Sequence, residues 1–423
     1  ILLLGGKRMN RIKKYMAGLL PGIFIIGYNV GTGSISSMSK AGANFGLDLL
    51  WTILISCLIT YYLIVLFSRY TMATGETVVQ GIKNHISRPL TVMLIILLSI
   101  IIFSALMGVL GIVADVLEAG SDALFQGYLP AKWWAVLVAA ILYIVLWIGN
   151  YAFFERILAI LVAIMGLAFI ITMIINFPPA GEIARGLIPD IPKNAMGSDN
   201  SPMVIVAGMV GTTVSVFAFI IRSQIIRETG WSIKDCAIQK RDAAHSAIMM
   251  FILSAAVMVT AASTLHVQGL KMNDVSEMIL LLDPIAGKKA LGVFVVGIVA
   301  AGLSSHLPNL LIIPWLMIDF KDRKRDTRTN KYRLLLFLLS IISLTGVMLG
   351  IKPIFIMLLS QACISIVLPL TLAAVFYLTS SKHLMHDNAN KTYDHIILWL
   401  IMAFSIYMSY LGIGGLLMDL QNL

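Results

Sequence analysis

A chain of 423 residues with 59% hydrophobic and only 12% charged residues is too apolar for a soluble globular domain, where about a quarter of residues carry charge. With a mean hydropathy of +0.92 it is expected to be an integral membrane protein. Its net charge of +10 does not call for nucleic acid, because the lysines and arginines gather in alternate loops, as the positive-inside rule expects of cytoplasmic segments.

Apolar segments of roughly 20 residues or more, long enough to cross a bilayer, fall near 16–38, 48–68, 89–117, 131–149, 154–177, 203–226, 244–265, 290–318, 333–350, 354–379 and 394–418. The expected fold is therefore an all-α membrane protein of eleven transmembrane helices. Residues 1–15 form a cytoplasmic segment whose Lys7, Arg8, Arg11, Lys13 and Lys14 place the amino terminus inside; the first eight carry no weight in the fold reading. Span one is read as part of the fold and not as a cleaved leader. Arg69, Lys83 and Arg88, then Arg227, Lys234, Lys240 and Arg241, then Lys321 through Arg333, agree with that orientation. The odd eleventh span puts the carboxyl terminus outside, in the cell membrane.

Span one contains Gly27-Tyr28-Asn29-Val30-Gly31-Thr32-Gly33-Ser34. A spanning segment must satisfy its backbone hydrogen bonds internally, so three glycines beside Asn, Thr and Ser at mid-depth mark a place where a helix comes apart. Span six echoes it with Val210-Gly211-Thr212-Thr213-Val214-Ser215. Each is the first helix of a five-span set, 16–177 and 203–379. They are joined by a Pro- and Gly-rich external connector at 178–202 and followed by a cytoplasmic loop and last helix at 380–423. An odd repeat length forces the second set to be inverted, which brings two half-broken helices together at mid-membrane, the signature of a secondary transporter. Small residues there also allow close helix packing, and the sequence leaves both readings open.

Ordered motifs along the chain resemble the Nramp family of proton-coupled divalent-metal transporters. These are Ala41-Gly42-Ala43-Asn44-Phe45-Gly46, Thr74-Gly75-Glu76, Asp115-Val116-Leu117-Glu118, Glu155, Ala301-Gly302-Leu303-Ser304-Ser305, and Ser360-Gln361 with Pro369. The likeness runs from Pro21-Gly22 to Lys382-His383-Leu384-Met385. It implies the leucine-transporter-type fold, an inverted five-plus-five repeat with helices one and six broken. The departures are specific. Where the family places Asp-Pro-Gly-Asn or Asp-Pro-Ser-Gly in span one, this chain has Gly31-Thr32-Gly33-Ser34. Where it places Met-Pro-His in span six, this chain has Ser215-Val216-Phe217.

Divalent cations prefer carboxylates, imidazoles or, for softer ions, sulfur, and the cores of spans one and six offer no acid. The candidate substrate site is Asn29, Gly31, Thr32, Gly33, Ser34, Thr212, Thr213, Ser215, Phe217 and Gln361, the last matching a family glutamine that closes over the substrate. The cargo is then either the family's metal ion, a hydrated magnesium-like ion, or a small neutral or zwitterionic solute. A ligand sensor that moves nothing is a further alternative.

Ionisable groups inside spans cost at least about 2.5 kcal/mol each on insertion scales, so they are functional candidates. Asp115 and Glu118 lie one turn apart in span three; they either face water at the outer end of that long span or, as the resemblance implies, mark a proton route. Arg222 falls where the family has a second histidine, either neutralising a carboxylate or snorkelling to the interface. His306 reads as a buried histidine or a pathway residue. Span nine lacks the arginines of the family's proton path. Cys57, Cys236 and Cys363 are too few and too scattered for a disulfide framework or a zinc site. The spans contain no nucleophile–base pair, so no enzyme activity is expected. No cofactor, nucleic acid or obligatory protein partner is expected either; the partners are the bilayer and a small transported solute or ion.

Overall fold

The computed structural model describes residues 27–29, 31–125, 129–148, 151–192, 201–272, 277, 283–322 and 329–421. The amino-terminal segment, most of the first half of span one with Pro21-Gly22, Val30, the side chain of Glu155 and part of the external connector lie outside the described residues. Among the described residues there is no strand.

The helices are α1 (Thr32–Phe45), α2 (Leu50–Thr74), α3 (Val78–His85), α4 (Arg88–Phe125), α5 (Ala131–Ile148), α6 (Tyr151–Ile175), α7 (Ala180–Gly186), α8 (Pro202–Thr213), α9 (Val216–Thr229), α10 (Cys236–Ala261), α11 (Asp283–Phe320), α12 (Asn330–Met348), α13 (Pro353–Ser380), α14 (Lys382–Met385) and α15 (Thr392–Gln421). Ten stretches among the described residues are long and apolar enough to cross a membrane, with α8 and α9 together forming one of them. They coincide with spans two to eleven, and α1 is the second half of span one. Local signals set several of the ends. Ser201 caps α8 ahead of Pro202 at its first position. A reciprocal capping box between Thr77 and Gln80 starts α3. Gly75 and Gly230 close α2 and α9 in the left-handed conformation.

The packing partners carry the internal repeat. Span three packs on span ten, and its counterpart five spans on, span eight, packs on span five. Span one packs on span seven and, in the matching relation, span six packs on span two. Spans two and seven, three and eight, and four and nine meet their own counterparts. Exchanging each span for the one five places away therefore reproduces these contacts, as two inverted five-helix sets require.

Water does not drive helices together inside hydrocarbon, so association rests on close packing and interhelical hydrogen bonds. The Ser360 hydroxyl donates to the Ile101 carbonyl at 3.1 Å, Ser365 to Ala207 at 2.7 Å, and Thr60 to Thr213 at 2.8 Å. The apolar window of α8–α9 is buried along its whole length, as is every residue of α1, whereas only 28% of the windows of α5 and α6 is buried. Span six and the described half of span one thus occupy the centre of the bundle.

Candidate functional site

Both central spans are interrupted. Residues 27–29 are helical, Gly31 is extended with φ −97° and ψ −166°, and α1 begins at Thr32. In span six, α8 ends at Thr213, Val214 (φ −93°, ψ 60°) and Ser215 (φ −80°, ψ 116°) leave the helical region, and α9 begins at Val216. A helix end leaves its last carbonyls and first amides without helical partners, so each interruption exposes polar main chain at mid-depth.

The two breaks, with α4, α11 and α13, enclose a cavity of about 30 Å³, room for about two waters if each needs some 10–15 Å³ by that measure. Its polar lining is Tyr28, Asn29, Ser34, Thr212, Ser215, Ser305, Asn309 and Gln361, and its apolar wall includes Phe217, Met357, Val109 and Ile364. None of these side chains is formally charged. Met357 brings the one sulfur among the described residues that line it. Among the described residues no three His, Cys, Asp or Glu side chains converge on a common point.

The amide of Asn29 is oriented by its neighbours. Its Nδ2 donates to the Thr213 carbonyl at 3.4 Å and lies 3.7 Å from the Met250 sulfur. The Asn29 Oδ1 is left buried without a hydrogen-bond partner, and so is Gln361 Oε1. An unsatisfied buried acceptor costs about 1–3 kcal/mol, and two of them in one cavity wall describe a site that wants a cation or a hydrogen-bond donor.

Glycines of both breaks abut the same residue. A Cβ on Gly33 would run into the ends of Met357 and Gln361, and one on Gly211 into the Gln361 carbonyl. These glycines let α1 and α8 reach α13 closely enough to bring its glutamine into the cavity.

The structure gathers Asn29, Gly31, Gly33, Ser34, Thr212, Ser215, Phe217 and Gln361 around the cavity, while Thr32 and Thr213 are buried outside its lining. Thr213 acts through its carbonyl, which Asn29 and Thr60 share. Ser34 faces Ser254 of α10, with their hydroxyl oxygens 3.5 Å apart.

The four charged or titratable candidates sit elsewhere. Asp115 and Glu118 are half-buried on α4, away from the cavity lining. His306 is fully buried on α11, and neither ring nitrogen has a hydrogen-bond partner. Arg222 does not snorkel: it is fully buried, its Nη2 lies 2.6 Å from Asp242 Oδ2 on α10, and its Nε donates to the Ser68 hydroxyl on α2 at 3.2 Å. Asp242 went unread in the sequence because it precedes the apolar window of span seven. Tyr28 and Asn309 were missed as well, although an asparagine one helical turn after Ser305 inside an apolar span was a usable signal.

Comparison with known proteins follows the same lines. The family model described as "Natural resistance-associated macrophage protein-like" (Nramp) matches residues 22–414. The divalent metal cation transporter MntH of Klebsiella pneumoniae (strain 342) is 26% identical over 400 residues, covering 93% of this chain and 92% of that protein. MntH of Klebsiella pneumoniae subsp. pneumoniae matches to the same extent. Among solved structures, the Eremococcus coleocola manganese transporter in complex with an aromatic bis-isothiourea compound superposes with a TM-score of 0.74 at 18% identity, covering 96% of this chain and 87% of that one. Mhp1, a nucleobase-cation-symport-1 family transporter, superposes at 0.56 with 14% identity, over 95% and 91%. The chain belongs to the Nramp family, as a multi-pass membrane secondary transporter with the leucine-transporter-type fold.

Proposed function

We propose that the chain carries a divalent metal ion by alternating access, held between the two breaks by amide and hydroxyl oxygens instead of a carboxylate. The observation that supports this most is the pair of unsatisfied acceptors, Asn29 Oδ1 and Gln361 Oε1, in one small uncharged cavity. Neutral oxygens suit hard cations, and an ion without a protein carboxylate keeps part of its hydration shell to limit the cost of desolvation. The divalent metal cation transporters among its relatives favour the same cargo class. The action is transport rather than catalysis.

The basic loops put the amino terminus on the cytoplasmic side and the carboxyl terminus outside. Asp115, Glu118 and His306 are the groups we assign to a coupling proton. Arg222 is a fixed charge, because a guanidinium does not deprotonate in proteins. Purified protein in liposomes loaded with a metal-sensitive dye tests the cargo. Mn²⁺ or Mg²⁺ influx that is lost in Asn29→Leu and Gln361→Leu is the expected result. If folded protein passes neither ion but accumulates a small hydrogen-bond-donating solute, the metal assignment fails.

A further inference from the structure

On the side of the basic loops, two sets of contacts join the elements that carry the breaks to α11. The upper set lies against the cavity, where the Tyr28 hydroxyl donates to Asn309 Oδ1 at 3.0 Å. The lower set is centred on Asp319, ten residues further along α11 and therefore about 15 Å deeper at 1.5 Å per residue. Asp319 Oδ2 accepts from Thr77 Oγ1 at 2.7 Å and Gln224 Nε2 at 3.2 Å, and Arg227 Nη1 lies 3.7 Å from its Oδ1. Arg227 also donates to Gln80 Oε1 at 2.6 Å, and Gln80 Nε2 donates to Asp322 at 2.9 Å. Lys83 completes the cluster through the Phe320 carbonyl at 3.0 Å and an ion pair with Asp322. The end of α9, the short α3 and the end of α11 are thereby fastened together.

Burial separates the contacts that can part from those that cannot. The Arg222–Asp242 pair, which binds α9 to α10, has side chains 0% and 1% exposed, so separating it would strand two charges away from water. In the lower cluster Asp319, Thr77 and Gln224 are themselves buried, but the cluster holds one acid among neutral donors there and its rim reaches water: Arg227 is 45% and Asp322 56% exposed, and water can take over their hydrogen bonds as they separate. The Tyr28–Asn309 bond joins two neutral groups. A movement of the broken spans against α11 would therefore break the Tyr28 and Asp319 contacts and leave Arg222–Asp242 made.

We propose that Asn309 and Asp319 are the fixed points of a two-tier closure on the basic-loop side. Tyr28 is the moving partner of the upper tier and Gln224 with Arg227 that of the lower, while the Arg222–Asp242 pair carries α9 and α10 as one body. This does not depend on which solute is carried, and its test is read without transport. In protein with Cys57, Cys236 and Cys363 replaced by serine, Ile364→Cys places a thiol in the cavity wall, and Lys321→Cys in a parallel sample marks the basic-loop side. The rate of modification by a membrane-impermeant maleimide is measured from each face of sealed vesicles.

Asp319→Asn and Tyr28→Phe are each expected to raise the Ile364→Cys rate from the face that labels Lys321→Cys, and together by tenfold or more. Should Asp319→Asn fail to fold, Gln224→Ala with Arg227→Met removes the moving half of the lower tier. An unchanged rate in the combined variant at an unchanged melting temperature overturns the proposal, and so does a rise confined to the opposite face.

Discussion

The side-chain amide of Asn29 donates to the main-chain carbonyl of Thr213 at 3.4 Å, so the interruption in span one is stitched to the interruption in span six across 184 residues. The link uses a carbonyl freed by the end of α8, and it leaves the oxygen of Asn29, a residue of the cavity lining, buried without a hydrogen-bond partner. One hydrogen bond thus both joins the two half-helices and arms the site.

Replacing Asn29 by leucine removes that bond and one of the two free acceptors. We expect a loss of stability of about 1–2 kcal/mol, the cost of leaving a buried carbonyl poorly paired, with Mn²⁺ flux reduced to the background of empty liposomes. Thr60 still donates to the Thr213 carbonyl, which keeps the stability loss at the low end. Thermal unfolding in detergent and dye-based flux, run on one preparation, separate the two effects.

Gly211→Ala tests the approach of α8 to α13. The added methyl meets the Gln361 carbonyl, which belongs to main chain and cannot rotate away, and overpacking of this kind costs about 1–3 kcal/mol. A lowered melting temperature together with impaired transport is expected. An unshifted melting temperature would contradict the packing described between α8 and α13.

Arg222→Met and Asp242→Asn each leave an uncompensated group in a dry interior and should destabilise by about 3–5 kcal/mol. The combined change Arg222→Met with Asp242→Asn is expected to cost clearly less than the sum of the two. A double-mutant cycle on thermal unfolding measures this coupling, and strict additivity would argue that the residues do not interact.

Met357→Leu conserves volume but removes the sulfur from the cavity wall. Thioethers favour softer ions, so the variant should lose affinity for Cd²⁺ severalfold while binding of Mg²⁺ stays the same. Isothermal titration of both ions on wild type and variant reads the difference directly.

The spans and their breaks were legible because both leave local marks, long apolar runs in one case and Gly, Thr and Ser inside them in the other. What local sequence does not carry is partnership. Tyr28 meets Asn309 at a separation of 281 residues, and no pattern near either residue announces the other. Helix ends were blurred where polar residues are satisfied by neighbouring helices. The apolar window of span seven covers 244–265, yet α10 begins at Cys236, because Gln239 donates to the Ile64 carbonyl and Asp242 is paired with Arg222. Thr32 and Thr213 stand in the sequence among residues that line the cavity, yet do not line it themselves. Which side of the helix they occupy depends on the phase at each break, and that is a property of three dimensions.

Gln361 stands between two glycines on different helices, with no hydrogen to spare on either side. A lineage that needed a roomier chamber could shorten this one side chain and leave α1 and α8 where they are, whereas enlarging Gly211 would press on main chain and enlarging Gly33 would displace the ends of Met357 and Gln361. Chamber size is therefore adjustable at residue 361 and nearly fixed at Gly211, which makes residue 361 the first place to look when close relatives differ in what they carry.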